Sequence, residues 1–384
     1  MTLQTTPRAT TPAPTALEPP NLRGMRVEDY PQIQKLEATH SLIALNPDVW
    51  RHVWLDNPLL ASLGDSWPMG WVLEDSSGRI VGSLANVPTA YTYRGRTLIA
   101  AIGRAWVVMP EYRGVALWLM DEYFQQENVD LFMCNTVNSL AVATFAALGS
   151  PRFPLGNWQS AAYWITNYPG FAATALRIKK IPLGALLAPP AAAVLKLKDL
   201  LRAKKRPASA ASIQISESSG FNERFGAFWK ELVAQNPDKM LSVRDSATLS
   251  WHFGGPLRAG EAWILTATRN GLIRAYAICK RQDHPPSGLR RMRLVDYQSL
   301  DRDIDLLPSL LDHALRRCIA EKFHTLEHVG CDLPKMKSFD ALAPYRRRLG
   351  SWPCYYTCPN PTLAAELSNP QIWDPSSYDG DASL

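Results

Sequence analysis

The run Val107-Val-Met-Pro-Glu-Tyr-Arg-Gly-Val-Ala-Leu-Trp-Leu-Met120 constrains this chain more than any other stretch. Apolar residues ending at a proline predict a strand, Tyr112-Arg-Gly114 a short basic turn, and the remainder an amphipathic helix. A helix that starts there leaves its first backbone N–H groups without internal partners, beside the positive end of its dipole. An anion, above all a pyrophosphate, is the natural ligand for such a spot. Gly114 permits close backbone approach, and Arg113 adds a charged donor.

The flanks read as alternating strands and helices. Trp71 to Ala85 predicts a hairpin, Val87–Tyr93 and Thr97–Met109 two further strands, and Asp130–Cys134 a short buried strand. Asn138 then opens a helix that ends at Gly149. After Ser209 the order restarts with helices over Gly220–Asn236 and Ser246–Phe253. Trp263–Arg269 and Leu272–Arg281 form a hairpin around Asn270-Gly271, a strong turn signal. A strand over Leu289–Ser299, a helix over Leu306–Lys322 and a strand over Thr325–Cys331 follow. The second turn, Asp296 to Asp305, has no glycine and four carboxylates, which would repel a pyrophosphate.

A length of 384 residues with 46% hydrophobic content suits two domains. Six cysteines without a CxxC pair or metal spacing predict reduced thiols and no metal. The first twenty residues hold six Thr and five Pro, which predicts a disordered tail rather than a signal peptide. No apolar run is long enough to span a bilayer, so the expectation is a soluble, cytoplasmic protein.

The net charge of +6 is unevenly placed. Residues 1–170 carry 11 Lys/Arg against 14 Asp/Glu, residues 171–210 carry 9 against 1, and residues 211–384 carry 21 against 20. Neutral domain faces give nucleic-acid binding no support. Within the basic block, residues 191–206 predict a helix with Leu197, Leu200 and Leu201 on one side and Lys/Arg on the other. Two readings stand: a linker helix, or a peripheral contact with an anionic membrane through residues 176–206. Pro189 and Pro190 argue against one continuous inserted helix.

Val-x-Pro-Glu-Tyr-Arg-Gly, with the strand–Asn–helix–Gly segment that follows, resembles the GNAT (GCN5-related N-acetyltransferase) superfamily. The resemblance covers roughly residues 25 to 165. It implies an α/β fold of two GNAT-like domains, each a mixed, mostly antiparallel central sheet flanked by helices. The expected division is a tail over 1–20, an acyl-coenzyme A domain over 21–170, a basic linker over 171–210, a degenerate second domain over 211–360, and a C-terminal tail over 361–384. It implies acetyl- or another acyl-coenzyme A as co-substrate, bound by Val107, Val108, Arg113, Gly114, Val115, Ala116 and Asn138, and a small-molecule amine or hydroxyl acceptor. Ala116 and Trp118 depart from the family's small residues.

The resemblance leaves catalysis open. Phe145 stands where the family often has an acidic Tyr, and the inner strand carries Arg104 and Trp106 rather than a carboxylate. Three readings remain: acyl transfer by proximity, completion of the site by second-domain groups such as Asp296, or ligand binding without turnover by a scaffold beside a biosynthetic membrane complex. Arg104 and Asp296 are the catalytic candidates. His324-Thr-Leu-Glu-His328 matches a zinc motif that needs a helix, whereas these residues read as a strand. Trp50, Trp54, Trp67 and Trp71 read as packing.

Overall fold

A computed structural model describes residues 18–64, 66–156, 158–202, 213–302, 304–330, 333–349 and 352–384. The tail expected over 1–20 therefore lies outside the described residues up to residue 17, as do Lys204, Lys205 and Arg206. The strands are β1 (Asn21–Gly24), β2 (Gly70–Glu74), β3 (Ile80–Tyr93), β4 (Arg96–Val108), β5 (Leu131–Cys134), β6 (Ser160–Ile165) and β7 (Gln214–Ser218). They continue with β8 (Leu241–Ser242), β9 (Ala262–Arg269), β10 (Leu272–Arg281), β11 (Arg291–Ser299), β12 (Thr325–Val329), β13 (Tyr345–Arg348) and β14 (Tyr355–Thr357).

They build two sheets. The first runs β1-β2-β3-β4-β5-β14 with β8 beside β3, and the second runs β13-β6-β12-β11-β10-β9-β7. The parallel neighbours are β4 with β5 and β11 with β12, and the other named pairs are antiparallel. Two mixed, mostly antiparallel sheets flanked by helices are what the resemblance implied.

The halves are interlocked in a way that local patterning did not reveal. β6, expected in the first domain, pairs with β12 and β13 of the second sheet. β14 returns from the second half to close the first sheet against β5. Each strand crosses the 21–170 and 211–360 division, because alternation of side chains specifies a strand but not its neighbours.

Three local expectations change. Ile80–Tyr93 is one continuous strand despite Pro88. Asn86 N–H faces Met69 O, so the missing Pro88 donor faces the same edge, beyond the reach of β2, and no ladder bond is lost. The helix expected from 191 begins at Gly184 and runs through Pro189 and Pro190 to Arg202. The segment 361–384 is not a loose tail: Asn360 caps a helix over Pro361–Leu367, and Trp373, Tyr378, Asp379 and Ser383 are buried. Its polar composition concealed hydrogen-bonding groups that find partners inside.

The Asn270-Gly271 turn forms as read, with φ of 53° and 79° at its two central residues. Trp50 and Trp54 are fully buried against the first sheet, and Trp50 stacks on Tyr30 at 4.3 Å. Among the described residues no helix is long and apolar enough to cross a membrane.

Candidate functional site

The first sheet opens into a fork. The β4–β5 ladder ends at the pair Ile102 and Met133, and beyond it no backbone hydrogen bond joins the two strands among the described residues. On its other edge β4 carries a bulge between Arg104 and Val107, where Ala105 has a φ of 54°. A non-glycine residue held in that region costs energy and marks an over-determined backbone.

Tyr123, fully buried on the helix Leu117–Phe124, pins the apex. Its hydroxyl donates to Ala101 O at 2.6 Å or Met133 O at 3.0 Å, and accepts from Gly103 N at 3.0 Å and Met133 N at 3.1 Å. Tyr123→Phe removes one oxygen that serves both strands and orphans several buried backbone groups. The expected loss is about 2–4 kcal/mol in denaturant unfolding. A loss within experimental error of zero would mean that water or another donor takes its place.

Beyond the fork, the segment expected to hold a pyrophosphate forms a 3-10 turn over Pro110–Val115, and Ala116, with a φ of −60°, joins it to the helix Leu117–Phe124. The negative φ explains why Ala116 replaces a glycine without strain. Gly114 faces open space, so its lack of a side chain leaves room rather than relieving torsion. The Arg113 side chain is exposed and makes no hydrogen bond or ion pair among the described residues. Val115 is half-buried beside it. Trp118 is 38% exposed and so fills no interior cavity. Asn138 caps the following turn, accepting from Leu140 N and Ala141 N ahead of the helix Val142–Ala147.

Of the two valines, Val108 is the better placed. Met109 N donates to Val81 O on β3, so ladder alternation turns the Val108 N–H toward the fork and the Val107 N–H toward β3.

Asp296 is not a free catalytic group. It lies fully buried, bonded by Arg244 Nε (2.9 Å), Arg244 Nη2 (3.2 Å), Tyr276 Oη (2.8 Å) and Ser376 Oγ (2.7 Å). Although burial pushes its carboxyl up, Arg244 and these donors hold it below the usual range. Arg104 reaches back to helix Tyr30–Thr39, 3.6 Å from Glu37 Oε1, and donates to Ile43 O at 3.1 Å. Its Nη1 and Glu37 Oε2 have no hydrogen-bond partner. Burial pushes the Glu37 carboxyl up, against the pull of Arg104. Phe145 is buried, stacked on Tyr355 of β14 at 5.0 Å. Tyr355 thus brings a phenol to the ring that lacks one, and its oxygen accepts from Arg152 Nε at 2.9 Å.

His328 lies on β12, stacked on Phe339, and burial lowers it to about 4. His324 precedes the strand and packs against Gly170 instead.

The group that sequence reading missed arrives on the C-terminal segment. The second sheet also forks, because the β11–β12 ladder ends at Leu294 and His328. Here the chain itself fills the gap: Tyr378 N bonds Val295 O, and Ser377 Oγ donates to Val329 O. The segment then crosses to the first fork, where Asn135 Nδ2 donates to Asp379 O at 2.9 Å. Asp381 there accepts from Thr136 Oγ1 at 3.1–3.2 Å. Gln282 and Lys280 secure Ala382 O and Ser383 O from the second sheet at 2.8 and 2.6 Å. Burial pushes the Asp381 carboxyl up, and the positive charge of Arg104 pulls against it. Lys280, also desolvated, falls to about 8. No spacing rule links residue 381 to a fork at residue 136.

Arginines line the second-sheet side. Arg291, Arg293 and Arg347 surround the buried Glu327, and Arg293 Nη1 donates to Gln282 Oε1 at 2.7 Å. Arg293 Nε is buried without a hydrogen-bond partner, and desolvation with its arginine neighbours lowers the side chain to about 9. Three cations around one carboxylate leave an excess of positive charge.

These forked, bulged sheets define the class: the chain has the GNAT fold. It is similar to a GCN5-related N-acetyltransferase from Anabaena variabilis, at 12% identity and a TM-score of 0.54, covering 88% of this chain and 73% of that one. It is also similar to N-myristoyltransferase of Saccharomyces cerevisiae with bound myristoyl-CoA, at 10% identity and a TM-score of 0.55, over 91% and 80% of the chains. A third is a GCN5-related N-acetyltransferase from Kribbella flavida, at 11% and 0.52, over 88% and 70%. No family model and no curated protein matches the sequence.

Proposed function

We propose that the chain is an acyltransferase that moves an acyl group from an acyl-coenzyme A to the amine or hydroxyl of a small-molecule acceptor. The observation that carries this reading is the asymmetry of the forks. Residues 377 and 378 fill the second between its strands, whereas at the first the C-terminal segment meets the side chains of Asn135 and Thr136, and that fork leads into a glycine turn whose arginine side chain makes no hydrogen bond or ion pair among the described residues. Arg113, Gly114, Val115 and Ala116, with the first N–H groups of the helix, would hold the pyrophosphate, and the Val108 N–H would polarise the thioester carbonyl.

Asp381 is our candidate base. A raised carboxyl beside Thr136 takes a proton from the acceptor as its nitrogen or oxygen attacks the carbonyl carbon. The carbon–sulfur bond then breaks, and the thiolate leaves with a proton. Tyr355 is the candidate donor of that proton, in the role Phe145 cannot perform. Arg104 balances Asp381 rather than reacting. The excess positive charge at Arg291 and Arg293, joined through Gln282 to Ala382, suits an acceptor that carries a carboxylate or phosphate.

The test is release of free thiol from acetyl- and longer acyl-coenzyme A across a library of amines and alcohols. Turnover is expected with anionic acceptors, and Arg293→Met should raise their KM more than it lowers kcat. The buried Phe145 favours a second reading, binding without turnover. Acyl-coenzyme A binding with no thiol release beyond hydrolysis, for any acceptor, would establish that one.

A further inference from the structure

The helices Tyr168–Ile178 and Gly184–Arg202 form a hairpin built the wrong way round for a helix pair in water. Its seam is small: Ala188 and Ala192 of the second helix pack on Ala172 of the first, with Tyr168, Leu176 and Leu195 at the margins. The large residues point outward. Nine of the seventeen exposed large hydrophobic residues among the described ones fall between 178 and 201, among them Leu183, Leu186, Leu187, Leu197, Leu200 and Leu201. Leu186 is 73% and Leu201 81% exposed. Amphipathic helices normally bury leucine and leave alanine and lysine outside. An exposed apolar surface on this scale marks an interaction site.

Charge identifies the occupant. Lys179, Lys180, Lys196 and Lys198 are exposed beside the leucines, and Asp199, the one acid in the hairpin, turns inward. Its carboxylate accepts from Tyr168 Oη at 2.8 Å and from Tyr345 Oη. The outward face is therefore apolar and wholly cationic. A protein partner covering it would need a matching acidic rim, whereas a bilayer with anionic headgroups supplies hydrocarbon and negative charge together. Long lysine stems bury their methylenes along apolar surface while keeping the charge at the headgroup level.

We infer that the hairpin Tyr168–Arg202 docks the protein on an anionic lipid surface, lying in the interface rather than crossing it. This stands apart from the catalytic reading, since none of these residues belongs to the fork.

The test is co-sedimentation of the full chain with phosphatidylcholine vesicles, with and without phosphatidylglycerol, over a range of salt. Partitioning should be at least about tenfold stronger on the anionic vesicles at low salt and should weaken as salt rises. The combined Leu183→Asp, Leu186→Asp and Leu187→Asp variant should lose binding at every salt concentration while keeping its thermal melt, since these side chains support no core. Lys179→Glu with Lys180→Glu should weaken binding chiefly at low salt. Native protein that stays in the supernatant with anionic vesicles would overturn the inference, as would leucine variants that bind like the parent. Light scattering covers the competing occupant: a native dimer that the leucine variants convert to monomer, with no vesicle binding by either, assigns the face to a second copy of the chain.

Discussion

Arg244→Met should destabilise the protein by about 3–5 kcal/mol at neutral pH, the largest stability loss expected of any single charge removal here. Arg244 is fully buried and joins Asp296 to Asp379, whose Oδ2 lies 3.3 Å from Nη2. Burial pushes the Asp379 carboxyl up even with the arginine present, whereas Asp296 is held down. Methionine keeps most of the volume but strands two carboxyls in a dry interior. The sign with pH is diagnostic. In the native protein the lowered Asp296 contributes stability above the ordinary carboxylate pKa, and that is lost as pH falls through its folded value. In the variant the folded carboxyls rise above their unfolded values, so the deficit is full at neutral pH and shrinks as pH falls through the raised pKa. Denaturant unfolding of both forms at pH 7 and pH 5 measures this. A deficit that stays constant or widens toward pH 5 would mean that the carboxyls find other partners.

Asp381→Asn should lower kcat by about 10²–10⁴ while leaving acyl-coenzyme A affinity near that of the parent. Asparagine keeps the shape and can still accept from Thr136, so the segment should stay seated while the proton acceptor is lost. In the parent, kcat should fall as pH drops through the raised Asp381 pKa, because the base is then protonated. That limb should vanish in the variant. If the variant keeps both its rate and the acid limb, another group is the base, and Glu37 and Lys280 are the next to change.

The strand–turn–helix junction at Arg113 was legible in the sequence because it is contiguous: strand, proline, Arg113-Gly114 and helix are set by local rules. The Asn270-Gly271 hairpin and the Asn138 cap were legible for the same reason. Both exchanged strands were not, since the short runs Ser160–Ile165 and Tyr355–Thr357 carry no local mark of the sheet they join. Asp296 looked available because its partners, Arg244 and Ser376, lie 52 and 80 residues away. Asp381 looked like part of a tail because Thr136 and Asn135 are about 245 residues distant. The leucines of the basic block were visible as one side of a helix, but their exposure became evident only once Ala188 and Ala192 were seen to form the seam.

Calorimetric titration of acetyl-coenzyme A into the native chain and Arg113→Glu tests whether the first fork and its arginine turn hold an acyl-coenzyme A. Saturable binding by the native protein is expected. A weakening of about ten-fold to a hundred-fold is expected in the variant, the equivalent of a charged hydrogen bond of about 1.5–3 kcal/mol, with the Tm unchanged because the exposed Arg113 side chain makes no hydrogen bond or ion pair among the described residues. No heat at millimolar ligand, or equal affinity for the two proteins, would contradict it.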